Sequence, residues 1–376
     1  MVKELHLEKS TRIHPGLPGR NYWDAGVHEV EQERVFERSW FCLGRQEEAP
    51  EVGDYLVRRV GREEVLVLRS KDGVLRAFYN VCRHRGSVLL DDDHGHLKGA
   101  AVLCPYHNWA YGLDGALIGT PNVHAKDGLD RAAYGLRPMR LEVWEGFVFV
   151  KLSDDPRTLL EQLAIEPDEP LSYDRYALDE LRIAHRVVYE VEANWKIVID
   201  NFNECLHCPG VHPELVKLVP MYRRGQVVDH ERPDFGATLA DGAYTFTMSG
   251  TTDLPFLPGL TEVDCRTYWG YAVFPNLLVN LVSTGVMTYR LEPSSATHTT
   301  VVSEYLYRPE TIGAGGFDCS DMVEFLDLVS RQDWSVCERA QRGVRSKGFV
   351  QGVYPPQDSL LHGFAGRYLA ERDGGP

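Results

Sequence analysis

Residues 80–86 read Asn80-Val81-Cys82-Arg83-His84-Arg85-Gly86, and residues 104–109 read Cys104-Pro105-Tyr106-His107-Asn108-Trp109. Each stretch follows a strand-like segment, and each offers one cysteine and one histidine, at C-x-H and C-x-x-H spacing. Such a set can ligate one tetrahedral zinc ion. It also matches a Rieske [2Fe–2S] cluster, in which two thiolates hold one iron and two imidazoles the other. Order along the chain separates the two. Zinc fingers pair Cys with Cys and His with His, whereas here each loop gives one of each, as a two-iron cluster needs. Neutral imidazoles in place of two thiolates raise the potential, which suits an electron carrier feeding an oxidising centre. We read Cys82, His84, Cys104 and His107 as the ligands of one such cluster.

Working outward, short alternating runs at Tyr55–Arg59, Glu64–Arg69 and Leu75–Asn80 predict strands, with a turn at Lys71-Asp72-Gly73. Strands and Gly/Asp turns continue to Gly146–Val150, so residues 46–153 are expected to form an all-β domain. Before it, residues 1–45 read as a helical lead-in packing on the catalytic domain. There Val27–Trp40 would place Val30, Val35, Phe36 and Trp40 on one helical face. The charged, helix-prone stretch Asp154–Leu181 is read as a link. Within the second domain, residues 154–376, Arg182–Val191 predicts a strand and Trp195–His207 a helix. An antiparallel meander follows at Tyr268–Val273, Leu277–Ser283, Gly285–Leu291 and Thr299–Tyr307, and a last helix at Ser320–Arg342. The fold class is α+β, a small β module plus a helix-on-antiparallel-sheet domain.

The helix predicted at Trp195–His207 carries a second constellation. Asp200, Glu204 and His207 fall at i, i+4 and i+7 and are expected on one face. His212 is out of step with that face, and Pro209-Gly210 explains how the chain could bend to turn both imidazoles to one point. Two histidines need a carboxylate to complete the two-His-one-carboxylate triad of non-haem Fe(II) oxygenases. The last helix offers Asp333, on a stripe with Leu326, Val329, Val336, Cys337 and Ala340, where a buried carboxylate demands a partner. Its rival, Asp327, falls on the polar side. Cys205 and Cys208 are read as packing residues beside the metal, and His94 and His96 as solvated.

Both constellations together resemble the α subunits of Rieske non-haem iron oxygenases, over nearly the whole chain. The resemblance implies one [2Fe–2S] cluster and one Fe(II) per subunit, the latter on His207, His212 and Asp333. It also implies a homotrimer in which Glu204, where many relatives carry Asp, bridges His207 to His107 of a neighbouring chain. Glu204, Asp200 and Asn201 are the catalytic candidates. The texture around Glu204 and His207 is similar to the branch acting on glycine betaine, carnitine and related methylammonium compounds. Phe202, Tyr268, Trp269, Tyr271 and Phe274 would supply aromatic surface for a cation or a planar ring. An aromatic acid is therefore the alternative substrate. A Rieske electron carrier without oxygenase activity is the alternative of another class.

Composition agrees by exclusion. The 376 residues carry 43% hydrophobic and 25% charged residues, as a globular chain does, and a net charge of −15 argues against nucleic-acid binding. No apolar run reaches a membrane span and the first residues lack a signal-peptide core, so a cytoplasmic protein is expected. No nucleotide-binding glycine fingerprint is present, so electrons are expected from a separate flavin- or ferredoxin-type reductase acting with O2 on a small molecule.

Overall fold

The computed structural model describes residues 11–163, 173–232 and 235–374. The chain forms two compact units, one spanning Phe36–Leu159 and the other built from the described residues on either side of it.

In the first unit, apolar alternation feeds a seven-stranded antiparallel sheet. Its order is Phe41–Arg45, Phe147–Lys151, Pro138–Trp144, Leu75–Tyr79, Glu63–Arg69, Asp54–Val60 and His94–His96. A smaller sheet joins Ala101–Leu103, Ala110–Gly112 and Leu117–Gly119. Leu66, Leu68, Phe78, Val102 and Tyr111 pack into one core with Cys82 and Cys104. Each fully buried apolar side chain there contributes about 1.5–3 kcal/mol. This unit begins at Phe36, earlier than the expected boundary at residue 46, because Phe41–Arg45 is a buried strand of its sheet rather than part of a lead-in.

The lead-in itself differs from its expected helix. Helix α1 spans only Ala25–Glu31 and runs into a π-turn at Gln32–Phe36. The wider turn shifts the phase of the buried face. Val30 is exposed, whereas Glu31, Val35, Phe36 and Trp40 are buried. Ahead of α1, His14–Pro18 pairs with Gln351–Tyr354 as a two-stranded ribbon.

The second unit holds a six-stranded antiparallel sheet in the order β1-β6-β5-β4-β3-β2. Its strands are β1 Arg182–Val191, β2 Ala237–Thr238, β3 Thr267–Val273, β4 Leu277–Val282, β5 Gly285–Ser295 and β6 His298–Tyr307. The long central strands are buried nearly throughout. Helices α2 (Trp195–Phe202) and α3 (Ser320–Gly343) pack together, and α3 is tied to the sheet. Tyr189 of β1 donates to Asp327 at 2.8 Å, and Tyr289 of β5 shares a 2.6 Å hydrogen bond with Ser330. On α3, Leu326, Val329 and Cys337 are buried as expected, but Ala340 is exposed and Trp334 takes an inward position. No helix among the described residues is long and apolar enough to cross a membrane.

Helix α2 ends at Phe202, not at His207, so Asp200, Glu204 and His207 do not share a helical face. Local hydrogen bonding stops it. The Asn203 N–H still reaches back to Ile199 and Asp200, but the Glu204 carboxylate then takes the Leu206 N–H and the His207 Nδ1. A side chain that captures backbone donors competes with the helix ladder and terminates it. Pro209 follows near the start of a separate short helix, Cys208–Val211, where its missing N–H costs nothing.

Candidate metal centres

In the first unit, the two loops bring Cys82, His84, Cys104 and His107 together. Both cysteines are buried in the core, and the His84 and His107 ring centroids lie 4.7 Å apart, edge to face. Tight backbone turns close each loop, from the Gly86 N–H to the Cys82 carbonyl and from the Asn108 N–H to the Cys104 carbonyl. Gly86 (φ 71°) and Asn108 (φ 55°) are left-handed there, which explains why a glycine and an asparagine occupy these positions. Tyr111 supports the first loop, its hydroxyl 3.3 Å from the Cys82 Sγ and accepting from the Arg83 N–H at 2.9 Å. Trp109 stacks on the His84 ring at 4.5 Å and Tyr106 on the His107 ring at 3.7 Å. The Nδ1 atoms of His84 and His107 are buried and have no hydrogen-bond partner. Two orphaned imidazole nitrogens facing no protein acceptor, beside two buried thiols, fit a pair of iron ligands better than a folded apolar core.

In the second unit, His207, His212 and Asp333 converge, the latter from α3. His207 Nε2 lies 3.2 Å from His212 Nε2, and Asp333 Oδ1 lies 2.8 Å from His212 Nε2 and 3.3 Å from His207 Nε2. Among the described residues this trio is the one His/Cys/Asp/Glu group with metal-binding separations. Acceptors hold the far side of each ring: Glu204 Oε1 meets His207 Nδ1, and Gln332 Oε1 meets His212 Nδ1 at 2.7 Å. With Nδ1 carrying the proton, each Nε2 lone pair points at the common centre, the tautomer a metal ligand requires. Burial alone would lower the His207 pKa, but Asp333 and Glu204 raise it to about 9. Burial likewise raises Asp333, and the two imidazoles outweigh it and hold the carboxyl low. The donor set therefore fits a divalent iron.

A cavity of about 80 Å³ opens on this trio. Six aromatic side chains line it, Phe202, Tyr222, Phe246, Tyr268, Tyr289 and Trp334, together with Asn201, Glu204 and Asn280. The Asn201 amide lies 3.3 Å from His207 Nε2. Asp200 does not line the cavity. It is buried behind it, accepting from the Tyr22 hydroxyl at 2.8 Å with its other oxygen unpartnered. Burial pushes its pKa up to about 7, even though the Tyr22 hydrogen bond and Lys196 act to lower it.

Of the aromatic residues expected at the site, Phe202 and Tyr268 are there, but Trp269, Tyr271 and Phe274 are not. Trp269 and Tyr271 point to the opposite face of β3, against Tyr176 and Tyr173, and Phe274 meets Phe364. Strand parity decides this: Tyr268 and Trp269 are neighbours and must face opposite ways. Tyr222, Phe246, Tyr289 and Trp334 are the rings that sequence reading missed. Tyr289 shares its face of β5 with Met287, a period-two signal, but Tyr222 comes from a short 3₁₀ turn, Pro220–Arg224, and Phe246 from an irregular segment, and neither carries one. Cys205 and Cys208, read as packing residues, are buried as expected but are joined by a disulfide. Asp327 pairs with Arg331 and Tyr189 away from the trio, and His94 and His96 are exposed, paired with Asp93 and Asp54.

Comparison with known proteins agrees with both centres. Residues 39–139 match the Rieske [2Fe-2S] domain, and residues 178–371 match the catalytic domain of the ring hydroxylating alpha subunit. The chain is 31% identical over 331 residues to the carnitine monooxygenase oxygenase subunit of Acinetobacter pittii, covering 87% of this chain and 85% of that one. It is 29% identical over 367 residues to the glycine betaine monooxygenase oxygenase subunit of Pseudomonas aeruginosa, covering 90% and 84%. A solved quaternary ammonium Rieske monooxygenase, in complex with its substrate L-carnitine, superposes with a TM-score of 0.72 at 26% identity, covering 94% of this chain and 95% of the other. The chain belongs to the Rieske-type ring-hydroxylating oxygenase family, as an α subunit with a [2Fe–2S] domain and a mononuclear-iron catalytic domain.

Proposed function

We propose that this chain is a terminal oxygenase component that hydroxylates a quaternary ammonium compound at an N-methyl or adjacent carbon, which then collapses to an aldehyde and an amine. The observation that carries this reading is the cavity itself, six aromatic rings around the donor trio, because ring faces bind a methylammonium cation through their quadrupoles. The names of the similar betaine and carnitine oxygenase subunits support it, and the net charge of −15 is compatible with it.

In this reading Cys82 and Cys104 hold one iron of the cluster, His84 and His107 the other, and His207, His212 and Asp333 hold the Fe(II). When bound, the cluster supplies electrons singly and the mononuclear iron activates dioxygen. The protein's own part is positional. Gln332 and Glu204 fix the two imidazole tautomers, the aromatic walls exclude water and orient the cation, and Asn201 faces the donors from the cavity wall. Asp200 stands outside the cavity wall on the same helix as Asn201 and is held by the Tyr22 hydroxyl. Glu204 is the bridge to the partner subunit's His107 in a homotrimer, and a carboxylate between two imidazoles couples their charge states. A Rieske domain followed by a catalytic domain belongs to the same reading, with the first compact unit at Phe36–Leu159. So do a flavin- or ferredoxin-type reductase drawing on NADH and a cytoplasmic location.

The test is iron analysis followed by turnover. The expected protein is red-brown with about three irons per chain. With a surrogate reductase, NADH and O2, it consumes a methylammonium panel and releases aldehyde in step with NADH oxidation. Consumption of aromatic acids alone, or a colourless zinc protein, overturns the proposal.

A further inference from the structure

Cys205 and Cys208 stand on either side of the ligand His207 in the chain, and the reaction has no use for them. Both are 2% exposed, both line the cavity, and a disulfide joins them. The backbone brings them together independently of that bond. The Cys208 N–H donates to the Cys205 carbonyl at 3.1 Å, closing a turn that sets the two Cα atoms 4.9 Å apart. The His212 N–H in turn donates to the Cys208 carbonyl at 2.9 Å. Cys208 therefore keeps its place beside the two imidazole ligands when the sulfurs are separate thiols.

Its sulfur has a ligand's position. Sγ lies 3.8 Å from His207 Nε2, the atom that also sits 3.2 Å from His212 Nε2 and 3.3 Å from Asp333 Oδ1. Zinc bonds of about 2.0 Å to nitrogen and about 2.3 Å to sulfur, at the tetrahedral angle, set the two donors about 3.6 Å apart. Within a disulfide the sulfur offers no thiolate, and the trio leaves a metal with open positions, as a catalytic site needs. A free thiol there loses its proton on meeting the metal and makes a fourth donor. Four protein donors close the tetrahedron, and a thiolate among them favours zinc over ferrous iron.

We infer that Cys208 is a redox-controlled fourth metal ligand: the Cys205–Cys208 disulfide holds the site open for iron, and the dithiol closes it around zinc. This rests on the assignment of His207, His212 and Asp333 as metal ligands and goes beyond the iron reading. A peroxide is the oxidant. One cysteine sulfur attacks the O–O bond, giving a sulfenic acid and one water, and the other thiol displaces the second water as the S–S bond forms. Two thiols and one hydrogen peroxide thus become one disulfide and two waters. A dithiol reductant reverses the change by thiol–disulfide exchange and leaves as its own disulfide.

The experiment takes the full chain, its mononuclear site emptied with a ferrous chelator, in peroxide-oxidised and dithiothreitol-reduced forms under argon. Alkylation and mass spectrometry count the thiols at 205 and 208. Co(II) is the first probe, because a thiolate bound to it gives a near-ultraviolet charge-transfer band that imidazole and carboxylate ligands do not. The second is competition between equal Fe(II) and Zn(II), read by metal analysis. The reduced chain should show the band and the oxidised chain should not. The zinc-to-iron ratio at the site should rise at least about tenfold on reduction, the smallest effect that even a residue supporting a ligand has on metal affinity. Cys205→Ser cannot form the bond and should show the band without reductant, whereas Cys208→Ser should show none in either form. The visible spectrum of the cluster and the thermal midpoint report that each variant is folded. Co(II) bound without the band in the reduced chain, or a pair whose thiol count is the same after both treatments, overturns the inference and leaves the iron reading standing. A trio that takes no divalent metal in either form overturns both.

Discussion

Glu204 sits where two requirements meet. Its carboxylate accepts from the Leu206 N–H and holds the His207 Nδ1, so it shapes the loop and sets the ligand tautomer together. Glu204→Gln keeps an oxygen acceptor but loses the charge on which the proposed bridge between two imidazoles depends. The variant should retain about three irons per chain while product formation falls by more than about 100-fold. Parallel iron analysis and single-turnover assays check this, and retained turnover would remove Glu204 from the electron path. Asp200 makes a different claim at the same scale. Burial disfavours its charge and pushes its pKa up to about 7, from an ordinary carboxyl value of 3.8. Between about pH 4 and pH 7 the unfolded chain ionises this group and the native chain does not, so native stability falls as pH rises through that window. Above it the penalty is constant, at about 4 kcal/mol as an upper bound. Asp200→Asn keeps an oxygen that accepts from Tyr22 and removes the titration. It should gain stability over the unaltered chain from pH 4 to pH 7 and no more beyond, as read by urea unfolding across pH.

At the scale of elements, α1 and α2 are joined by charge inside the core. Lys196 Nζ lies 2.5 Å from Glu31 Oε1, both side chains are fully buried, and Trp195 and Tyr368 donate to the same carboxylate. Burial would raise the Glu31 pKa, but Lys196 and the other donors hold it down at about 2, while burial in turn lowers the Lys196 pKa against the pull of Glu31. Breaking it strands one charge, and Lys196→Met should cost about 3–5 kcal/mol in urea unfolding. Adding Glu31→Gln should recover most of the loss, and a single variant as stable as the parent would show that the pair contributes nothing. Glu31 ends α1 facing inward, and the π-turn that follows puts Val35 and Phe36 on the same buried side. A 3.6-residue period carries no sign of it, which is why Val30 was expected inside and is not. The end of α2 was hidden for a similar reason: the apolar pattern of Trp195–Phe202 could continue to His207, and only the capture of donors by Glu204 stops it.

For the whole molecule, the two metal centres lie in separate compact units, each built from its own chain segments. The two cluster cysteines are buried under loops closed by their own backbone turns, whereas the trio opens on a cavity. Mild treatment with a ferrous chelator should therefore remove about one iron per chain and abolish turnover, leaving the red-brown absorption unchanged. Refilling with Fe(II) should restore activity and raise the thermal midpoint, because a ligand at 100 times its Kd adds about 2.7 kcal/mol. Loss of colour in step with the first iron would show that the two sites do not differ in this way.

What the sequence determined by itself is the chemistry available: which residues alternate as strands, and Cys and His in an order that suits a two-iron cluster. It also showed two histidines beside a helix breaker, and a carboxylate on the apolar stripe of a late helix. These are local patterns, set by spacing along the chain, and local patterns survive translation into structure. The tertiary structure alone decided which groups meet. Asp333 reaches His212 across 121 residues, Tyr22 reaches Asp200 across 178, and the cavity draws Tyr222 and Phe246 from segments with no period at all. Strand parity then chose Tyr268 over Trp269, and a glycine facing Asn280, Gly270, left room for the Tyr268 hydroxyl to reach that amide. Such choices depend on register and long-range packing, where one residue of slip turns a side chain to the other face.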